Sequence, residues 1–108
     1  MKSLTVLEEI VMLAIYRLKE DAYSVTIHMK ILEMTGKDLI IGTLFNVLEQ
    51  LHRKGYVQKR KGKPLQEKAG KSVMFYSVSE KGLEALEQTR KMHNRIWADV
   101  TEVLHKES

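Results

Sequence analysis

The chain has 108 residues, 44% of them hydrophobic and none of them cysteine. This length suits one domain and excludes a large two-lobed enzyme, and the lack of cysteine excludes both a disulfide framework and a Cys-based zinc site. The sequence has neither a signal-peptide profile nor an apolar run that could span a bilayer, so we expect a cytoplasmic protein without a membrane partner.

The net charge of +4 is distributed unevenly. Residues 53–71 hold eight basic residues against one acidic residue, a net charge of +7, whereas the rest of the chain carries ten basic against thirteen acidic residues, or −3. Because phosphate neutralisation requires positive charge to be concentrated locally, this basic segment indicates a nucleic-acid binder. The alternative is a lysine-rich loop that only aids solubility.

The first predicted helix covers residues 5–18. Thr5 and Glu8 have the spacing of a capping box, and apolar residues follow at helical intervals. The helix is apolar on nearly all sides, and such a helix is normally buried against more than its own domain. The apolar residues outside its core stripe, which predict a partner chain here, are Val6, Met12, Leu13, Ile15 and Tyr16.

Two further helices and a hairpin are predicted next. Ser24 is expected to cap the second helix, and Gly36 and Gly55 stand where helix C-termini favour residues that tolerate positive φ. After Gly55 the pattern becomes β-prone, with strands predicted at residues 56–60 and 73–78. The core stripe of the third helix is Leu44, Val47, Leu48 and Leu51.

Ser79 is expected to cap a final helix, and no proline interrupts the chain beyond it. We therefore divide a single compact unit into a winged-helix domain at residues 1–80 and a long C-terminal dimerisation helix at residues 81–108. Leu83 and Leu86 can pack back on the domain. The rest of the helix leaves an apolar stripe that a monomer would expose, so we expect it to pack against the first helix of a second chain. The residues assigned to this homodimer interface are Val6, Leu13, Met92, Ile96, Trp97, Val100, Val103 and Leu104.

The predicted fold is mainly α with a small β-hairpin, in the order of a winged helix-turn-helix. In that arrangement the third helix enters the major groove of double-stranded DNA and the hairpin contacts the backbone. Asn and Gln can pair with adenine, and Thr can reach a phosphate or a base edge, although a polar face is also ordinary on any surface helix. The residues assigned to DNA contact are Thr43, Asn46 and Gln50 of the helix, and Arg60, Lys61, Lys63, Lys68 and Lys71 of the hairpin.

Four stretches of the chain resemble the PadR family of transcriptional regulators. They are LAIYRL at 13–18, DAYSVTI at 21–27, GTLFNVLEQL at 42–51 with KGYV at 54–57, and FYSVSEKG at 75–82. The resemblance implies a winged-helix homodimer that binds a pseudo-palindromic operator and is released by a small ligand. The presence of a single C-terminal helix is similar to a small subfamily with multidrug-binding members, which implies a pocket between subunits where Trp97 stacks on a planar aromatic effector. The alternative role for Trp97 is that of a structural anchor at the dimer seam.

The sequence departs from the family pattern at several positions. Ser24 replaces a glycine, Phe45 replaces a tyrosine, and Ile40 replaces a polar capping residue. Residues 69–74 also lack the arginines that usually precede the aromatic strand. Phe45 cannot donate a hydroxyl hydrogen bond to phosphate, so that contact is not carried over.

No catalytic constellation is recognisable. The four histidines lack the short spacings of a helical metal site, and no glycine-rich phosphate loop is present. Glu8 and Glu9, like Glu84 and Glu87, are expected on exposed helix faces, where acid-base work is unusual. We therefore expect no enzyme activity, no metal and no cofactor.

The function predicted from the sequence is that of a sequence-specific DNA-binding transcriptional regulator, acting as a ligand-responsive repressor. The alternative is a winged-helix module that docks proteins and does not bind DNA.

Overall fold

The computed structural model describes residues 3–62 and 73–100. The described elements are α1 (Val6–Leu18), a 3-10 turn (Lys19–Asp21), α2 (Ser24–Thr35), α3 (Ile41–Arg53), β1 (Val57–Lys61), β2 (Met74–Val78) and α4 (Glu80–Ile96). This order confirms the predicted fold class, which is mainly helical with a two-stranded hairpin between α3 and α4.

Helix α1 begins with the predicted capping box. The Thr5 hydroxyl accepts a hydrogen bond from the Glu8 N–H at 3.1 Å, and the Thr5 N–H donates to Glu8 Oε1 at 2.9 Å. Both bonds satisfy amide groups that the first turn of a helix leaves without a partner, so this spacing alone specifies where α1 starts.

Helix α2 starts differently from the prediction, because Ser24 is its first residue and Tyr23 occupies the N-cap position. The Thr26 hydroxyl accepts a hydrogen bond from the Tyr23 N–H at 3.0 Å and donates to the Asp21 carbonyl at 2.5 Å. Thr26 thus ties the helix start to the preceding 3-10 turn, and no Ser24 cap is needed. The helix ends at Thr35, and its C-cap residue Gly36 has a left-handed φ of 74°, which confirms the predicted C-terminus.

The hydrophobic core lies between the first three helices and the hairpin, with α1 at its centre. Met12 and Ile15 are fully buried in this core, so the prediction that they face a partner chain was wrong. Because α1 packs against α2, α3, β2 and α4, most of its circumference is covered within its own chain. Val6 and Tyr16 remain exposed and Leu13 is half-buried. The buried hydrophobic residues are Val11, Met12, Ala14, Ile15, Ala22, Ile27, Ile31, Leu44, Val47, Leu48, Leu51 and Val57.

The hairpin is antiparallel, with Val57 opposite Val78 and Lys61 opposite Met74. Each strand begins one residue later than predicted. Val57 is buried and Val78 packs against the core, so both strands are anchored at this end of the hairpin. A backbone bond from the Tyr76 N–H to the Ala22 carbonyl, 2.8 Å long, attaches β2 to the segment before α2.

The start of α4 is locked onto the turn between α3 and β1. The Ser79 hydroxyl accepts from the Gly82 N–H at 3.0 Å, as predicted for a cap, and donates to the Gly55 carbonyl at 2.6 Å. Gly82 is buried so tightly that a Cβ there would collide with the Tyr56 carbonyl oxygen and with Val78. Only glycine allows this close approach. The N-cap role of Ser79 and the tight packing of Gly82 thus explain the first and last residues of the Ser-Glu-Lys-Gly sequence at 79–82.

Helix α4 ends at Ile96, so the single helix predicted to the chain end is interrupted. Trp97 is the C-cap residue and Asp99 has a left-handed φ of 70°, a conformation that Asp tolerates better than most residues. The absence of proline was therefore an insufficient signal for helix length. Val103 and Leu104 lie outside the described residues.

None of the helices within residues 3–62 and 73–100 is long and apolar enough to cross a membrane.

Candidate nucleic-acid interface

Helix α3 separates into a buried and an exposed side. Its four predicted core residues are all buried, and Asn46 and Gln50, four positions apart, are exposed on the other side. Residues with this spacing are neighbours on a helix surface, so the two side chains can act on adjacent groups of a ligand. Thr43, one turn before Asn46, is half-buried.

The N-terminal end of α3 is unexpectedly apolar. Ile40 occupies the N-cap position and makes no side-chain hydrogen bond to the first turn. Ile41 and Phe45 are each about half exposed, at 48% and 49%. From the sequence, Ile40 and Phe45 were identified only as departures from a family pattern, and Ile41 was not identified. Their position outside the core stripe of α3 was the signal that could have identified all three.

Arg60 is held in place on the hairpin. Its guanidinium lies 4.8 Å from the centre of the Phe75 ring, and its Nη2 donates to the Glu20 carbonyl at 3.3 Å. The Phe75 ring in turn packs at a tilt against Tyr23, with ring centres 5.4 Å apart. A guanidinium has five N–H donors, so Arg60 keeps several for an external acceptor while its orientation is restricted. Lys61 is exposed at the end of β1.

Two of the five basic residues described within the +7 segment are already paired with carboxylates. Lys54 Nζ lies 2.6 Å from Glu8 Oε2, and Lys59 Nζ lies 3.6 Å from Glu49 Oε1. The positive charge of this part of the segment is therefore lower than its sequence indicates. Within the described part of this segment, residues 53–62, the basic side chains not paired with a carboxylate are Arg53, Arg60 and Lys61. Lys63, Lys68 and Lys71, also predicted to contact DNA, lie outside the described ranges.

Glu8 is buried, with only 2% of its surface exposed, so its predicted position on an exposed helix face was wrong. Burial raises the pKa of its carboxyl group, but the Lys54 hydrogen bond, the Thr5 backbone hydrogen bond and the charge of Lys54 outweigh this, and the pKa lies below its usual value. The carboxylate stays ionised and connects the start of α1 to the end of α3. Its role is structural, and it could not be predicted from the sequence because the partner, Lys54, is 46 positions away.

A groove runs between the end of α3 and the hairpin. Most of its lining residues are polar or basic, which suits an anionic ligand. The residues lining it are His52, Gly55, Val57, Gln58, Lys59, Arg60 and Ser77.

A second groove, between α1 and α4, is lined by apolar side chains with charged residues around them, unlike the polar and basic groove beside the hairpin. Leu83 faces this groove and is 42% exposed, so it packs back on the domain less than predicted, whereas Leu86 contacts the core. The hydrogen bond from Arg90 lowers the pKa of Glu87, which keeps this rim pair charged. The groove residues are Glu9, Leu13, Tyr16, Leu83, Leu86, Glu87 and Arg90.

The residues predicted for a dimer interface lie on this same side of α1 and at the end of α4. Val6, Ile96, Trp97 and Val100 are exposed, and Leu13 and Met92 are half-buried.

The histidines that make side-chain contacts connect helices to their surroundings. His93 Nε2 lies 3.1 Å from Glu9 Oε1 and joins α4 to α1. His28 Nε2 lies 2.8 Å from the Leu39 carbonyl oxygen and 3.0 Å from Asp38 Oδ1, and joins α2 to the turn before α3. Within the described ranges, no three His, Asp or Glu side chains are grouped so that they could hold a metal ion.

Several solved structures share this architecture along nearly their whole length. A PadR-like transcriptional regulator from Bacillus cereus aligns with a TM-score of 0.73 and 19% identity, over 92% of this chain and 91% of that chain. A PadR family transcriptional regulator from Eggerthella lenta aligns with a TM-score of 0.69 and 21% identity, over 91% of this chain and 85% of that chain. The chain has a PadR-like winged-helix fold. A Streptococcus transcriptional regulator aligns comparably, with a TM-score of 0.71, 22% identity and 91% of each chain covered.

The PadR-like fold confirms the resemblance drawn from the four sequence stretches. No protein-family model and no curated protein matches the chain. In this winged-helix order α3 is the second helix of the helix-turn-helix, the β1–β2 hairpin follows it, and α4 is the C-terminal helix.

Proposed function

We propose that this chain is a sequence-specific DNA-binding transcriptional regulator. The observation that carries the proposal is the exposed polar side of α3, with Asn46 and Gln50, directly ahead of a hairpin that exposes Arg60 and Lys61. A helix that reads bases needs an exposed polar side, and a wing that contacts the backbone needs cations. The names of the similar structures, all transcriptional regulators, support the same conclusion.

In this proposal α3 lies in the major groove. Asn46 and Gln50 each offer one acceptor and two donors, which match the N6 and N7 edge of adenine. Arg60 and Lys61 bind phosphate oxygens, with Arg60 oriented by its packing on Phe75. Thr43 has room for a single contact to a phosphate or a base edge because it is half-buried. This role requires no catalytic step and no cofactor. It is consistent with the cytoplasmic location expected from the sequence.

We also propose that the working unit is a homodimer that binds a pseudo-palindromic operator. The apolar side chains of Val6, Tyr16, Ile96 and Trp97 are exposed in one chain, and pairing α1 of each chain with α4 of the other would bury them. A two-fold dimer presents two α3 helices to two half-sites.

The proposed mode of regulation is repression that a small planar aromatic effector relieves. Trp97, about half exposed at the C-cap of α4, has an indole ring available for stacking on such a molecule. It is the only tryptophan, so its fluorescence reports this region alone. Quenching by planar cationic or phenolic compounds supports the effector role, whereas indifference across a broad panel favours the anchor role.

The DNA-binding proposal is tested with the duplex upstream of the chain's own coding region. Its affinity should fall steeply as salt rises, with a logarithmic slope of about −0.9 per phosphate neutralised. The N46A/Q50A double variant should lose discrimination between this duplex and a scrambled one, because it removes base contacts. The K61A variant should bind both more weakly by the same factor.

The matched control is K91A, which removes an exposed lysine from α4 and should leave the affinity for DNA unchanged. If neither N46A/Q50A nor K61A changes binding, or if binding does not depend on salt, the regulator proposal fails and the protein-docking module is favoured.

A further inference from the structure

The exposed apolar residues at the start of α3 have no role in the core. Ile41 and Phe45 are four positions apart, hence neighbours along one edge of the helix, and about half of each side chain is in contact with solvent. Burying such side chains would be favourable by roughly 25 cal/mol for each Å² of apolar surface removed from water. The edge therefore has affinity for an apolar group that residues 3–62 and 73–100 do not supply.

Gly42, between these residues in sequence, is also unexplained by contacts within the described part of the chain. A Cβ at this position would meet nothing within 4 Å, and its φ is not in the left-handed region. Glycine is a poorer helix former than alanine, by at most about 0.8–1.0 kcal/mol, which is the figure for a helix interior. Gly42 lies in the first turn of α3, where it gives the helix no stability that alanine would not. A turn without a side chain on its outward side lets an external surface come close to the helix backbone.

The surroundings of this edge identify the kind of surface. Asn46 and Gln50 share the exposed part of the same helix, and Arg53, Arg60 and Lys61 supply unpaired positive charge nearby in sequence. A polyanion with hydrogen-bonding edges matches these groups, and an apolar protein surface does not. In the major groove of such a polyanion, duplex DNA, the apolar group that bases present is the 5-methyl group of thymine.

We propose that Ile41 and Phe45 recognise thymine through its 5-methyl group, and that Gly42 lets α3 lie close enough to the groove floor for this contact. The inference rests on the proposed DNA-binding function and adds a specificity determinant to it. Asn46 and Gln50 recognise the hydrogen-bonding groups of the bases, and Ile41 and Phe45 recognise the methyl group of thymine. The preferred operator half-site therefore contains a thymine facing the first turn of α3.

The test begins with a duplex that the full chain selects from a random-sequence library. Each thymine of this duplex is then replaced in turn by deoxyuridine, which lacks only the methyl group. With the unaltered chain, affinity should fall about threefold to fivefold at one thymine per half-site, as expected for one buried methyl group, and should be unchanged at the others.

The protein side of the test uses I41A and F45A, both at half-exposed positions that should leave folding intact. At least one of them should bind the thymine and deoxyuridine duplexes equally. The control K61A should weaken binding to both duplexes and keep the threefold to fivefold ratio between them.

Three results would overturn the inference in distinguishable ways. Equal affinity for thymine and deoxyuridine at every position would refute methyl recognition while leaving the DNA-binding proposal intact. A ratio that persists in both I41A and F45A would assign the recognition to other residues. Failure to select any duplex would refute the proposed function itself, and this inference with it.

Discussion

Lys54 Nζ lies 2.6 Å from Glu8 Oε2 and thereby joins the end of α3 to the start of α1, across 46 positions of sequence. The carboxylate is buried and the ammonium group is half exposed, so the pair sits at the boundary of the core. In the proposed regulator α3 reads DNA and α1 contacts the second subunit. In that regulator the pair would help to hold α3 at a constant angle to the proposed dimer interface.

Removing Lys54 should destabilise the fold. The K54A variant leaves a buried carboxylate without its strongest partner, and we expect the free energy of unfolding to fall by about 1–3 kcal/mol. Urea denaturation of both proteins measures the difference. The control is K59A, whose partner Glu49 is exposed and 3.6 Å away, and which should change stability by less than about 1 kcal/mol. Equal effects of the two variants would show that the Glu8–Lys54 pair contributes no more to stability than an exposed ion pair.

The same pair predicts a pH dependence of stability. The pKa of Glu8 in the folded chain is below its ordinary value of 4.5, so the unfolded chain takes up this proton first as the pH falls. The stabilisation from Glu8 should be fully present above about pH 4.5 and lost as the pH drops through the lower, folded pKa. Urea unfolding between pH 3 and pH 7 should show a weaker pH dependence for E8Q than for the unaltered chain. Identical slopes would contradict an ionised Glu8.

Two helical glycines should respond oppositely to alanine. In G82A the new methyl group collides with the Tyr56 carbonyl oxygen and Val78, and we expect a loss of roughly 1–3 kcal/mol through overpacking. In G42A the methyl group meets open space, so stability should be unchanged or higher by up to about 1 kcal/mol. Thermal unfolding followed by circular dichroism measures both. A destabilised G42A would mean that the start of α3 needs glycine for its own conformation.

The proposed dimer predicts a difference between two equally exposed apolar residues. Ile96 on α4 and Met29 on α2 are both 62% exposed, but only Ile96 belongs to the proposed interface. I96K should therefore shift the chain towards monomer in sedimentation velocity, because a lysine charge would be buried at the seam. M29K should sediment like the unaltered chain. Truncation after Met92 should also give a monomer, and a truncated chain that still dimerises would disprove this interface.

Elements governed by neighbouring residues were predictable from the sequence. The Thr5–Glu8 capping box, the helical spacing of the α3 core stripe and the glycine at position 36 all act within about one or two helical turns. Their signals do not depend on what the rest of the chain does. The order of helices and hairpin, and with it the winged-helix fold, followed from these local features.

The burial of individual side chains on α1 and the state of individual charges were not predictable in this way. Met12 and Ile15 have the pattern of residues that could face a partner, and they are buried because four elements surround α1. Asp99, with its left-handed conformation, interrupts a helix that no proline ends.

Composition and local spacing were thus enough to locate a basic segment directly after a helix with one polar side, since both are properties of consecutive residues. Which of its lysines are neutralised depends on Glu8 and Glu49, which reach Lys54 and Lys59 only after the chain has folded. A charge on an extended chain is always available to a partner, whereas in the folded chain its availability depends on distances between residues far apart in sequence.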